Sequence, residues 1–179
     1  MVMGVRQRET VTRYWAMLVL ALKQKDARVL ALSLRHEPLG ILCVMPNADA
    51  AEECYVFDTK GVVFDRARTV VGEVIVKINE QSDIRPVLNT DFVPTADWQN
   101  LKPILEAVRD KKITVSRIAL QRTDKELTLT VLPQAIPFYF SYEFNPRAHI
   151  DALPEFFKKV SLDKLQYVDL RIEGKIFYL

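Results

Sequence analysis

The sequence predicts an α+β fold in which helices pack on a largely antiparallel β-sheet. Three observations predict it. Short apolar segments with a period of two recur along the 179 residues, segments with helical spacing divide them into groups, and turn sequences join neighbouring strands. Apolar residues make up 49% and charged residues 27% of the chain, which is typical of a globular protein. The length suits one domain, or one domain with a fragment of a second.

The charge pattern argues against nucleic-acid binding. The net charge is +2, and Lys and Arg are scattered among acidic residues. The longest apolar run, residues 14–22, has nine residues, whereas a helix needs about 20 to span a bilayer. We therefore expect either a soluble protein or one whose membrane anchor precedes this sequence.

The first predicted helix follows Thr10, a suitable N-cap. Its apolar residues have helical spacing: Val11, Tyr14, Trp15, Leu18, Val19 and Leu22. We interpret it as a helix packed on the core, and a membrane-surface helix is the alternative, favoured by its aromatic residues and flanking cations. Alternating residues at 28–35 and 39–44, on either side of Glu37-Pro38, predict an antiparallel hairpin beneath this helix.

Further strands are predicted in the middle of the chain. Residues 54–57 and 62–64 predict a hairpin, because Asp58 and Gly61 suit the tight turn between them. Residues 70–78 alternate as another strand. Residues 81–94 contain Asp, Asn and Pro and are typical of a connector.

The next predicted helix begins at Thr95 or Asn100. It has one apolar face: Trp98, Leu101, Ile104, Leu105 and Val108. Because proline is tolerated mainly in the first helical turn, Pro103 favours a start near Asn100.

Three consecutive strands and a last helix follow. The strands are predicted at residues 113–120, 126–132 and 136–142. Asn145-Pro146 predicts the start of a helix, with a capping residue before proline at the first position. This helix runs toward Val160 and contains Pro154.

The final stretch, residues 165–179, is rich in β-branched and aromatic residues. It alternates with a period of two and predicts a strand that either bends at Gly174 or folds there into a hairpin. A strand at a sheet edge has unpaired N–H and C=O groups that another chain can bind. We therefore expect this stretch to be the working surface, and a core strand covered on both sides is the alternative.

The two cysteines indicate a cross-strand disulfide. Cys43 ends one predicted strand and Cys54 begins the next, so the two can face each other in an antiparallel pair. Closing this loop would stabilise the fold by roughly 2–3 kcal/mol. A disulfide would indicate an oxidising, extracytoplasmic compartment, whereas the alternative is two buried free thiols. The CxxC spacing of zinc and redox sites is absent, so we expect no metal.

The sequence has no catalytic motif of the GxGxxG, Walker, HExxH or GxSxG type. His36 and His149 fall in different elements, and His36 beside Glu37 is expected to be a surface or capping residue. Asp58 and Asp169 are the carboxylates to consider as an acid–base pair. Each has a simpler role, since Asp58 suits a turn and Asp169 lies beside a cation. The residues alone therefore give no indication of catalysis, and we expect no cofactor.

Three segments carry a family resemblance. Residues 30–43 (LALSLRHEPLGILC) contain a strand, an Arg/Glu-Pro turn and a second strand. Residues 54–64 (CYVFDTKGVVF) contain Tyr-x-x-Asp-x-x-Gly-x-x-Phe, and residues 167–171 read YVDLR. In this order and spacing they resemble the FtsQ/DivIB family of bacterial cell-division proteins. They are similar, in turn, to the end of its POTRA domain, the hairpin that opens its β domain and its closing strand.

The resemblance implies a partial POTRA-like segment, a helix plus a β-hairpin, at residues 1–45 and an FtsQ/DivIB-type β domain at residues 46–179. Family members have a short cytoplasmic tail and one transmembrane helix before these domains. The resemblance therefore implies an N-terminal anchor absent from this chain, and a location on the extracytoplasmic face of the bacterial cell membrane at the division septum. The family is not enzymatic. It is a divisome scaffold that recruits the FtsB/FtsL (DivIC/FtsL) pair during septum formation.

The resemblance also implies where the partner binds. The last strands would accept an added strand through six residues: Arg171, Ile172, Gly174, Lys175, Phe177 and Tyr178. Arg171 matches the family's Arg beside the docking edge, where it can pair with a partner carboxylate. Ile172 departs from the family, which often has Tyr there, and Phe177 and Tyr178 are expected to supply the aromatic contact instead.

Two other functions are consistent with the sequence. A different POTRA-type extracytoplasmic binding or assembly module would carry further POTRA repeats upstream. An unrecognised enzyme would have a deep pocket lined by polar side chains with perturbed pKa values.

Overall fold

A computed structural model describes residues 36–45, 52–67, 76–82, 84–110 and 113–179. The predicted first helix and the predicted strand at residues 28–35 lie outside the described residues, as do residues 70–75 of the later strand. Within these described ranges, no helix combines the length and the apolar character needed to cross a membrane.

The described residues form one mixed sheet of ten strands with two helices, so the fold is α+β as predicted. The strands are β1 (Pro38–Val44), β2 (Glu53–Asp58), β3 (Val62–Arg66), β4 (Val76–Glu80), β5 (Thr90–Asp91), β6 (Val115–Gln121), β7 (Glu126–Val131), β8 (Ile136–Ser141), β9 (Val168–Leu170) and β10 (Phe177–Tyr178). The helices are α1 (Thr95–Arg109) and α2 (Arg147–Lys159), and a short 3₁₀ helix spans Leu162–Lys164.

The strand order across the sheet is β10-β9-β8-β7-β6-β4-β1-β2-β3-β5. Antiparallel pairing predominates, but β4 is parallel to both β1 and β6, and β9 is parallel to β8. Parallel neighbours need a long crossover connection, and α1 and α2 provide it between β4 and β6 and between β8 and β9. The two helix crossovers thus account for two of the three parallel pairs, and between β1 and β4 the chain passes through β2 and β3.

Both helices contribute to one hydrophobic core with alternate residues of the strands. Leu101, Ile104 and Leu105 of α1 are fully buried in it, as are Leu127 and Phe138 of neighbouring strands. Burial of each such side chain contributes about 1.5–3 kcal/mol relative to exposure in water. The core therefore lies on one face of the sheet, beneath α1 and α2.

The start of α1 differs from the prediction. The helix begins at Thr95 and continues through Pro103, although an internal proline removes one backbone donor. Trp98 and Leu101, on either side of the expected start at Asn100, are both buried in the core. Their burial stabilises the first turns enough to keep Pro103 inside the helix.

The β2–β3 turn lies against α1. Oδ1 of Asp58 accepts hydrogen bonds from the backbone N–H groups of Lys60 and Val62, each 2.9 Å long. Gly61 has φ +85°, and a Cβ there would lie 2.8 Å from the Trp98 ring. The predicted Asp–Gly turn is thus confirmed, and both the backbone angle and the contact with Trp98 require glycine.

The POTRA-like hairpin is not confirmed. Residues 40–44 of β1 pair with β2 on one side and with β4 on the other. The predicted hairpin partner, residues 28–35, lies outside the described residues. A domain division after residue 45 stays a prediction, and β1 lies inside the sheet that the later strands build.

Candidate functional site

The C-terminal stretch folds into a hairpin at one end of the sheet. Phe177 pairs with Asp169 and Tyr178 with Val168, so β10 runs antiparallel to β9. Gly174 takes φ +70° in the connecting turn, a conformation that glycine adopts without strain. Of the two predicted arrangements, bend or hairpin, the structure forms the hairpin.

The two halves of this stretch have different environments. β9 is covered on both sides, because β8 pairs with it in parallel and β10 in antiparallel orientation. Val168 and Leu170 of β9 are fully buried. The expectation that the whole stretch is an edge is therefore wrong for β9, which is an internal strand, and applies only to β10.

The outer side of β10 carries the unpaired backbone groups. Leu179 directs both of its backbone groups inward: its N–H donates to the carbonyl of Tyr167 (3.4 Å), and its carbonyl accepts from the N–H of Gln166 (2.5 Å). Because successive residues of a strand direct these groups to opposite sides, those of Tyr178 point away from β9. In the described part of the chain no strand lies beyond β10. The outer side of Tyr178 is thus open to an added strand.

Apolar side chains surround this edge. Ile172, Phe177, Tyr178 and Leu179 are all large, and each is about half exposed, from 46% to 61%. The Tyr178 ring packs edge-on against Phe156 of α2, with ring centroids 5.3 Å apart. The hairpin therefore presents apolar groups on both faces beside an open backbone edge, which is the arrangement that strand addition uses.

The guanidinium of Arg171 is bound within the chain. Nε and Nη2 donate to the two carboxylate oxygens of Asp169, at 3.0 and 2.6 Å, and Nη1 donates to both oxygens of Glu126 on β7, at 3.0 and 3.2 Å. It also lies over the Tyr139 ring, 5.2 Å from the centroid. The hydrogen bonds that Arg171 donates to Asp169 and, secondarily, to Glu126 raise the pKa of Arg171, so it stays charged.

Gly174 and Lys175 lie in the exposed turn between β9 and β10. The N–H of Lys175 donates to the carbonyl of Ile172, 3.1 Å away, and closes that turn. A Cβ on Gly174 would meet no atom within 4 Å. Gly174 is thus required by its backbone angle alone, and not by the space around it.

Cys43 and Cys54 form a disulfide on facing positions of β1 and β2, with Cα atoms 4.1 Å apart. Four strands of the sheet, β8, β7, β6 and β4, separate this pair from β9, so the disulfide belongs to the other half of the sheet. Glu52 lies close enough to both sulfurs to suggest a metal-ligand group. The sulfurs are bonded to each other, however, and a metal would require thiolates.

The polar residues considered for catalysis either contact neighbouring side chains in structural roles or lie too far from one another to act together. Nδ1 of His36 lies 2.7 Å from the buried Asp58 carboxylate, and its ring stacks on Phe64. His149 is buried beside Phe144. Asp58 and Asp169 lie on β2 and β9, six strand spacings or about 29 Å apart, so they cannot act as an acid–base pair.

A pocket between α1 and α2 has a volume of about 130 Å³. It is lined by Pro103, Glu106, Ala107, Asp110, Arg147, Ile150 and Asp151. Pockets that bind metabolites usually have about 300–1,000 Å³. The pocket between α1 and α2 is therefore smaller than the deep polar pocket that we expect of an enzyme.

Two residues of the candidate site were missed by sequence reasoning. Glu126 and Tyr139 contact Arg171, but they precede it by 45 and 32 positions. Only the order β7-β8-β9 across the sheet brings them to the hairpin. No local sequence signal connects residues so far apart.

In comparisons with known proteins, no family model matches the chain, and no curated protein matches it.

Proposed function

We propose that this chain is the extracytoplasmic part of a non-enzymatic bacterial division scaffold that binds its partners by strand addition to β10. The partners would be the FtsB/FtsL-like (DivIC/FtsL) proteins that the sequence resemblance implies. The site of action would be the outer face of the cell membrane at the division septum.

One observation carries the proposal. β10 ends the strand order, and the backbone groups of Tyr178 point away from β9. An added strand can hydrogen-bond to this side while its alternate side chains contact Phe177 and Leu179 on one face and Tyr178 on the other. Backbone pairing would supply register and affinity, and these apolar groups would supply selectivity.

Two further features support the proposal. A disulfide between Cys43 and Cys54 suits an oxidising compartment outside the cytoplasm. The aromatic groups that the family often places at position 172 are available here from Phe177 and Tyr178, which are both exposed. The resemblance and the edge geometry thus share Phe177 and Tyr178.

The test removes the outward backbone donor. Tyr178→Pro deletes the N–H that would pair with the partner and leaves the inward bonds of Leu179 in place. Tyr178→Ala is the matched control, because it removes the same ring but keeps the N–H. We expect Tyr178→Pro to bind the soluble segments of an FtsB/FtsL-like pair about 3- to 10-fold more weakly than Tyr178→Ala, the loss of one backbone hydrogen bond.

Affinity is measured by calorimetry, with circular dichroism to show that both variants are folded. Equal affinity of the two variants would contradict strand addition at β10. Absence of any binding by the unchanged chain would contradict the choice of partner. A fluorescent fusion of the anchored protein that spreads evenly over the membrane would argue against a septal location.

A further inference from the structure

Arg171 connects the C-terminal hairpin to strands deeper in the sheet. It directly follows β9, and its side chain extends inward past Tyr139 on β8 to Glu126 on β7. One cross-strand row of the sheet contains Tyr139, Asp169 and Phe177 in succession. This row lies on the face opposite the helices, and the Arg171 side chain follows it. We call Arg171, Asp169, Glu126 and Tyr139 the arginine clamp.

The clamp directs the charge of Arg171 away from the edge. All three guanidinium nitrogens donate to carboxylates of the chain itself. Glu126 lies three strand spacings, or about 14 Å, inside β10, and a strand added beyond β10 would be about 19 Å from it. A partner carboxylate at Arg171 would compete with Asp169 and Glu126 for the guanidinium.

Among the described residues, few other contacts restrain the hairpin on that face. β10 has two residues and β9 three, and a hairpin this small is marginal without further packing. On the helix side, Tyr178 contacts Phe156, and Ile176 packs against the core. On the opposite side the arginine clamp supplies the charge-assisted bonds, which are about twice as strong as neutral ones.

We propose that Arg171 is a positioning residue: through Asp169 and Glu126 it holds the β9–β10 hairpin on the sheet and keeps the β10 edge ready for a partner strand. This deepens the proposed function and rests on it for the role of the edge. It differs from the expectation drawn from the family resemblance, in which Arg171 binds a carboxylate of the partner.

The first test needs no partner. Arg171→Ala and Glu126→Gln are compared by amide hydrogen exchange of Phe177 and Leu179, whose N–H groups point toward the β9 segment. We expect exchange about 5- to 10-fold faster in Arg171→Ala and about 2- to 5-fold faster in Glu126→Gln. Glu52→Gln is the matched control, since it breaks an exposed ion pair with Lys77 elsewhere in the sheet and leaves these rates unchanged.

The second test uses the soluble segments of an FtsB/FtsL-like pair. If Arg171 positions the hairpin, Glu126→Gln weakens binding, and the double variant with Arg171→Ala binds no more weakly than Arg171→Ala alone. If Arg171 docks the partner directly, Glu126→Gln frees the guanidinium and binding stays equal or tightens. Unchanged exchange at Phe177 and Leu179 in Arg171→Ala overturns the inference, whether or not any partner binds. If the exchange rates change but the partner does not bind, only the proposed function is overturned.

Discussion

Asp169 combines two contacts at the end of β9. Its Oδ1 accepts a hydrogen bond from the backbone N–H of Arg171 (3.0 Å), and its two oxygens bind the Arg171 guanidinium. The guanidinium bonds, with a smaller contribution from the backbone N–H, hold the pKa of Asp169 below its usual value, although partial burial opposes this. One ionised side chain thus closes the turn and orients the arginine clamp.

The lowered pKa of Asp169 predicts that the free energy of unfolding depends on pH. Because the folded pKa lies below the unfolded one, the contribution of Asp169 is fully present above about pH 4 and is lost as the pH falls through the folded value. We expect Asp169→Asn to be less stable than the unchanged chain at pH 7 and to approach its stability near pH 2. Urea unfolding at several pH values measures this.

Asp124→Asn is the control for that series, since Asp124 is exposed in the turn between β6 and β7. It should follow the unchanged chain at every pH. A stability difference for Asp169→Asn that stays constant from pH 7 to pH 2 would contradict the assigned role of the carboxylate.

At the scale of elements, the segment between β4 and α1 is held by a buried ion pair. Arg122, just after β6, pairs with Glu80 at the end of β4, and the side chains are 8% and 0% exposed. The same guanidinium donates to the carbonyls of Phe92 (2.6 Å) and Ile84. This contact ties residues 84–92 to the sheet, although that segment contains exposed apolar residues.

Loss of one member of this pair should therefore be costly. Arg122→Ala leaves Glu80 buried without its partner, and we expect a loss of about 3–5 kcal/mol in the free energy of unfolding. The double change Glu80→Leu with Arg122→Met removes both charges and should recover part of that loss. Denaturant unfolding gives both values. A double variant less stable than Arg122→Ala would show that the other bonds of Arg122 matter more than the unpaired charge.

The starts of α1 and α2 show which features of a helix local sequence patterns can predict. Apolar spacing predicted α1, and Asn145-Pro146 predicted the start of α2, where the N–H of Arg147 donates to Oδ1 of Asn145, 3.0 Å away. The proline rule misplaced the start of α1 by five residues, from Thr95 to Asn100. Burial of Trp98 outweighed the local propensity there, and Trp98 contacts Phe57 and Thr59, which precede it by 41 and 39 positions.

For the whole molecule, the disulfide joins β1 and β2, the seventh and eighth strands counted from β10. The bridged cysteines are 11 positions apart. We expect replacement of both by Ala to lower the free energy of unfolding by about 2–3 kcal/mol, through the entropy of the unfolded chain. Because the edge at β10 lies at the far end of the sheet, partner affinity should stay unchanged when the variant is folded.

Denaturant unfolding of the double variant and of the reduced unchanged chain tests this expectation. Equal stability with and without the bond would contradict it. Weaker partner binding by the folded double variant would show that the two ends of the sheet are coupled.

The sequence by itself determined the α+β class, the turn at Asp58 and Gly61, and the hairpin strands β6, β7 and β8. These depend on alternation, turn chemistry and short loops, which act between residues near one another in the chain. Only the tertiary structure decided that β4 lies between β1 and β6, that β9 is internal and β10 is the edge, and that Arg171 binds Glu126. These arrangements depend on contacts between residues distant in sequence, where helix crossovers and core packing select among pairings that local patterns allow equally.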